Sequence, residues 1–224
     1  MKKFELTDEF VTNVFGHKLF RIKALVAFGD VEKGELGGFI EKEDNLSHDD
    51  NAWVYGNAQV SGNAWVSGNA QVFGDAWVSG NARVFGDAWV YGNAQVSGNA
   101  QVFGDAQVFG DAWVSGNARV SGDAWVYGNA QVSGNAQVFG NADYAVVAGF
   151  GRYFRTTTFF RCKDKILRVQ CGCFYGDLAQ FREIVKKTHG DSKYAKEYLA
   201  IADLMELHFS DKCGGEQMND GKIY

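Results

Sequence analysis

Residues 51 to 140 are fifteen consecutive hexapeptides of the form Asn/Asp-Ala-Trp/Gln/Arg-Val-Tyr/Ser/Phe-Gly, running without exception from Asn51-Ala52-Trp53-Val54-Tyr55-Gly56 to Asn135-Ala136-Gln137-Val138-Phe139-Gly140. A sixteenth unit, from Asn141, degenerates. So short and regular a period marks a stacked repeat architecture. Ala and Val stand two apart, so on an extended backbone they share one face, while the third and fifth residues share the other. Glycine followed by Asn or Asp supplies a corner, since both tolerate the left-handed backbone of a sharp turn. A strand with only Ala and Val inward cannot bury itself alone. The hexads must therefore stack as a solenoid around a thin core.

Two hexads per coil (12 residues) and three (18 residues) are both conceivable, and the outward positions decide between them. At the fifth position an 18-residue coil gathers Tyr55, Phe73, Tyr91, Phe109 and Tyr127 on one face and Ser61, Ser79, Ser97, Ser115 and Ser133 on the next. The tryptophans Trp53, Trp65, Trp77, Trp89, Trp113 and Trp125 all fall in odd-numbered hexads, which alone would favour 12. With 18 they alternate with glutamine along two faces, Trp53, Gln71, Trp89, Gln107, Trp125 and Gln59, Trp77, Gln95, Trp113, Gln131, which gives each indole room between strands about 4.8 Å apart. Three hexads per coil and five coils give a shaft of roughly 24 Å. The composition agrees: the chain has 28 glycines, fifteen of them at hexad corners, and no proline. A proline in an inner coil would remove a donor from the ladder.

The flanks differ from the array. Residues 1–50 carry seven basic and eleven acidic side chains and read as a cap that covers the unpaired solenoid end. The array runs to about residue 146. Residues 147–209 read as a small ββαα domain: strand-like runs Arg152 to Phe160 and Ile166 to Cys171, then a helix from Leu178 to His189 capped by Asp177. A second helix, capped by Ser192, runs from Lys193 to about Phe209. Its apolar face is expected to hold Tyr194, Tyr198, Ile201, Leu204, Met205 and His208. Residues 210–224 read as a mobile tail.

The spacing of Val54 and Ala58, Val60 and Ala64, and so on, places an aliphatic residue at i and a small one at i+4, and so resembles the hexapeptide-repeat superfamily. That resemblance implies a left-handed parallel β-helix and frequent trimers. The fold expected is mainly β, a left-handed parallel β-helix of about five coils between an N-terminal cap and the ββαα domain. The leader Val31-Glu32-Lys33-Gly34-Glu35-Leu36-Gly37-Gly38-Phe39-Ile40 with Asn45-Leu46-Ser47 looks like that of hexapeptide proteins common in phage and prophage genomes. The tail Cys171-Gly172-Cys173-Phe174-Tyr175-Gly176-Asp177-Leu178, Thr188-His189-Gly190 and Tyr194-Ala195-Lys196-Glu197-Tyr198 is similar to that group too.

The superfamily includes acyltransferases and metal-dependent carbonic anhydrases, both of which use histidine from the coils or their loops as base or metal ligand. Here His17, His48, His189 and His208 lie outside the array and no loop interrupts it. The expectation is therefore a protein without catalytic residues, cofactor or metal, with a hexapeptide acyltransferase as the enzyme alternative. Cys162, Cys171 and Cys173 lack metal-ligand spacing with His189, and they and Cys213 are expected as free thiols. Asp87, Asp105 and Asp123 stack at one corner and read as solvated or turn-bonded carboxylates rather than a cation site. The array contains no threonine row of the kind an ice-binding solenoid uses.

Two surfaces remain. Trp53, Trp89 and Trp125 with Tyr55, Phe73, Tyr91, Phe109 and Tyr127 form an outward apolar patch that needs covering, by the chain's own C-terminal helices, by identical subunits, or by a ligand that stacks on the rings. Arg152, Arg155, Arg161, Lys163, Lys165 and Arg168 form a basic cluster for an anion, if they share a face. The expectation is a non-enzymatic, phage-like scaffold, homotrimeric through its aromatic face. The alternative is a phage factor that sequesters a nucleotide-like host small molecule or a host protein. A net charge of −5 argues against nucleic acid as a partner. The lack of an apolar stretch near 18 residues or a signal-like segment points to a soluble protein, in the cytoplasm of a bacterial host, without a membrane partner.

Overall fold

The protein is described from a computed structural model that defines residues 2–210. Each hexad forms a two-residue rung centred on its third residue and valine, from Trp53–Val54 to Gln137–Val138. Rungs pair in parallel with an offset of eighteen residues, Trp53 opposite Gln71 and Trp89 opposite Gln107, so three hexads make a coil. Three parallel sheets result. The alanine and valine of every hexad are buried and form one continuous core. Along the sheets the backbone bonds repeat from coil to coil, as in Gln71 N–H to the Ala88 carbonyl at 3.0 Å and Trp89 N–H to Ala106 at 2.9 Å. At the corners asparagine amides bond in a ladder, with Asn81 Nδ2 donating to Asn99 Oδ1 and Asn99 Nδ2 to Asn117 Oδ1, both at 3.0 Å.

The solenoid starts before the hexads. Strands β1 (Phe4–Thr12) and β2 (Lys18–Ala24) form an antiparallel hairpin, and β2 pairs with β3 (Leu36–Ile40). β3 then pairs in parallel with the Gln59–Val60 rung, and Leu46 bridges Val66. Gly38-Phe39-Ile40 and Asn45-Leu46-Ser47 are thus an irregular first coil, with Ile40 and Leu46 taking valine's place six residues apart. The coils number about six, and the boundary between cap and helix lies near residue 36 rather than 50. Beyond it the hairpin closes the end: the Lys3 ammonium, itself buried, donates to the Ala52 carbonyl at 2.9 Å.

The C-terminal domain has four strands, where the sequence reading had two. β4 (Tyr144–Val147), β5 (Thr157–Arg161), β6 (Leu167–Cys171) and β7 (Phe174–Asp177) form one antiparallel meander. β4 and β7 escaped notice because each is only four residues long, and Tyr144–Val147 lies where the expected array fades out. The pleat makes this sheet a divider: Phe160 joins the solenoid core, while Phe159, adjacent in sequence, joins a second core under the helices. The sheet also satisfies the last coil's backbone. Thr158 Oγ1 accepts Gln131 N–H at 3.0 Å, Asn141 Oδ1 accepts Trp125 N–H at 2.8 Å, and the Tyr144 hydroxyl donates to the Trp125 carbonyl.

Helix α1 (Leu178–His189) starts in a capping box between Asp177 and Gln180 and ends at Gly190, which has φ of 55°. Helix α2 (Lys193–His208) starts at Ser192, whose hydroxyl accepts Ala195 N–H at 3.3 Å. Its buried stripe is Ala195, Tyr198, Ile201, Ala202 and Met205. Tyr194, Leu204 and His208, expected on that face, are exposed instead, because small alanines let α2 approach its neighbours closely along the 195–202 line. The expected mobile tail falls, from residue 211, outside the described residues.

Candidate functional site

The 18-residue register converts the aromatic row into a stack. Phe73 and Tyr91 lie 4.8 Å apart with nearly parallel planes, Tyr91 and Phe109 4.9 Å, and Phe109 and Tyr127 5.4 Å. Trp89 meets Phe73 edge-on at 6.0 Å and Trp125 meets Phe109 likewise at 6.3 Å. Such offset and edge contacts are the favoured geometries of aromatic pairs. The Tyr91 hydroxyl donates to Gln107 Oε1, across one rung. Trp89, Trp125 and Tyr127 remain 41%, 48% and 54% exposed, so α1 and α2 do not cover this face.

One end of the expected patch is not part of it. Trp53 is fully buried, edge-on to Phe28 at 5.3 Å and to Phe4 at 6.2 Å, and Tyr55 is half-buried against the same cap. The N-terminal hairpin folds over the first coil, an event that hexad spacing cannot register. A shorter stack escaped the sequence reading: Phe85 and Phe103 lie parallel at 4.9 Å on the third face, with the Arg119 guanidinium over Phe103. Their eighteen-residue separation was the signal available.

At its C-terminal end the aromatic face deepens into a groove of about 780 Å³ between Trp125, Tyr127 and the first strand of the terminal sheet. Tyr144, Asn129, Asn141 and Thr156 supply its polar groups, and no charged side chain lines it. Burial pushes the Tyr144 hydroxyl up to about 12, and its proton is donated to the Trp125 carbonyl.

The basic residues do not converge. Phe160 stands opposite Arg168 and Arg161 opposite Leu167, so Arg161 and Arg168 project from opposite faces of the sheet. Arg161 donates to the Phe209 carbonyl at 2.8 Å and lies 3.7 Å from Asp143. Arg168 is paired with Asp164 at 2.7 Å. Lys163 and Lys165 line, together with Arg161, a recess beside Asp143 and Phe139. Arg152 and Arg155 lie elsewhere again, both over the ring of Tyr153, at 5.5 and 5.1 Å. The expected single basic face is thereby divided: Arg161, Lys163 and Lys165 share one recess, Arg152 and Arg155 another, and Arg168 is held by Asp164.

The cysteines separate in the same way. Cys162 belongs to the solenoid core and its thiol is pushed up by burial, whereas Cys171 packs under the helices and accepts a 3.2 Å contact from Thr157 Oγ1. Cys162, Cys171 and Cys173 are free thiols, and Cys213 lies outside the described residues. His17 pairs with Glu41, and His48 stacks on Phe4. Among the described residues no three His, Cys, Asp or Glu side chains are grouped to hold a metal ion. At the acidic corner Asp87 accepts the Asn69 amide at 2.9 Å.

Eighteen-residue coils, three parallel sheets and capped ends define a β-solenoid repeat protein. The family model described as YdcK Beta solenoid repeat matches residues 58–74, 70–92, 94–110 and 112–128, all inside the hexad array. Those segments make up less than half of the chain, so the likeness is to the repeat and leaves the cap and the C-terminal domain outside it. No curated protein matches the chain.

Proposed function

We propose that this protein is a non-enzymatic scaffold that associates with copies of itself, as a homotrimer, through the aromatic face. The observation that carries the reading is the stack Phe73, Tyr91, Phe109 and Tyr127 with Trp89 and Trp125 beside it, which no described segment of the chain covers. A contiguous apolar surface of this kind marks an interaction site, and closed symmetric assembly is the commonest way to bury one. A trimer follows from the resemblance to hexapeptide-repeat proteins. A phage-like origin and the cytoplasm of a bacterial host rest on the leader and tail alone. Against an acyltransferase stands the position of all four histidines outside the array.

The expected outcome is a trimer by size-exclusion chromatography with light scattering, and a monomer for Trp89→Gln with Trp125→Gln. Glutamine already occupies the equivalent positions 71 and 107. The double variant should therefore keep its thermal midpoint, and a parent protein that is monomeric at micromolar concentration would refute the assembly. A second reading is favoured by the groove of about 780 Å³: an uncharged ligand that stacks on Trp125 and Tyr127 and bonds Asn129 or Asn141.

A further inference from the structure

The C-terminal domain holds a cavity of about 200 Å³ between the β6–β7 turn and the two helices. Its walls are apolar, with Phe174, Phe181 and Val185 among them, and no carboxylate lines it. At its rim lie Arg152 and Arg155. Of the five arginines in this domain, Arg161, Arg168 and Arg182 are each paired with a carboxylate. Arg152 and Arg155 have no such partner among the described residues, in a chain whose net charge is −5. Both guanidiniums instead sit over the one Tyr153 ring, at 5.5 and 5.1 Å from its centre, and both line the cavity.

Local structure maintains that placement. Gly172 has φ of 58°, and a Cβ there would stand 2.8 Å from Arg155 Nη1, so the glycine turn leaves the space the guanidinium occupies. The loop preceding both arginines is tied to α2, where Gly151 N–H donates to Glu197 at 3.0 Å and the Tyr198 hydroxyl packs against Gly151. The other polar groups are few: the thiols of Cys171 and Cys173, Thr188, His189 and the Tyr198 hydroxyl.

We propose that this cavity binds a small aryl anion, a single aromatic ring bearing a carboxylate or phosphate, with the ring between Phe174, Phe181 and Val185 and the anionic group between Arg152 and Arg155. Size suits the ring: an apolar cavity of about 150 Å³ takes a benzene, so one of this volume holds a ring and a small substituent. Charge selects the substituent, because planar guanidiniums match the oxygens of carboxylate and phosphate. The site is independent of assembly through the aromatic face, which lies on the solenoid.

Titration calorimetry of the full chain with benzoate and with phenyl phosphate, against benzyl alcohol and inorganic phosphate, tests the proposal. At least one aryl anion should bind about tenfold or more tightly than both controls, the size of one charge-assisted hydrogen bond. Arg152→Gln with Arg155→Gln should lose at least that factor at an unchanged thermal midpoint. Cys173→Trp, which fills the cavity from an exposed turn, should weaken binding as well and serves if the double variant does not fold. Neither aryl anion exceeding benzyl alcohol, inorganic phosphate binding as tightly as the aryl anions, or a variant binding like the parent would each overturn it.

Discussion

At the scale of single residues, the corner glycines are where the repeat is least tolerant. Gly98 has φ of 67°, and a Cβ there would meet the backbone nitrogen and carbonyl oxygen of Gly116 at 3.0 Å. Gly98→Ala incurs both the left-handed penalty and a clash with backbone that the ladder fixes, so it should cost about 2 kcal/mol or more in urea unfolding. Lys3 makes a different prediction. Burial pushes its ammonium down to about 8 from an ordinary 10.5, with Asp50 and Asp49 partly opposing the shift. Below pH 8 both the folded and unfolded chains carry the proton, so its contribution there is flat. Between about 8 and 10.5 the unfolded chain holds more protons than the folded one, and stability rises with pH. Thermal melts across that window should therefore show the parent gaining on Lys3→Met, and a parallel pair of curves would contradict the assignment.

At the scale of elements, the terminal sheet acts as a stopper as much as a domain. Thr158 is buried, and its hydroxyl is the acceptor for Gln131 N–H. Thr158→Val keeps the shape and leaves that donor unpaired, which should cost about 1–3 kcal/mol in denaturant unfolding. The helices were readable before the structure, because Asp177, Gly190 and Ser192 punctuate them with side chains that act locally. The buried face of α2 was readable only in part: Tyr198, Ile201 and Met205 turn inward as expected, while Tyr194, Leu204 and His208 do not. Which of two overlapping stripes turns inward depends on the sheet beneath, and the alanines at 195 and 202 permit closer packing than Tyr194 and Leu204 would.

At the scale of the molecule, identical inner residues make the rungs interchangeable while outer rows depend on phase. Removing residues 87–104, one whole coil, should leave a folded, self-associating protein shortened by about 4.8 Å. Removing residues 87–92, one hexad, should also leave a folded solenoid, since every rung offers the same Ala and Val. It would, however, rotate everything after it by one face and set Ser97 beside Phe73, so light scattering should report lost association with circular dichroism preserved.

The hexads by themselves determined the solenoid, its 18-residue coil and the aromatic stack, because each depends only on short-range periodicity repeated fifteen times. Only the tertiary structure decided where that regularity stops. Trp53 is flanked by Ala and Val just as Trp125 is, yet Phe4 and Phe28 of the N-terminal cap bury the first while the second stays half-exposed. The basic residues make the same point. Nearness in sequence suggested one cluster, but strand alternation sent Arg161 and Arg168 to opposite faces, and Arg152 and Arg155 lie before those strands in a recess of their own. Burial and charge pairing are set by contacts between segments distant in the chain, and no repeat pattern encodes those.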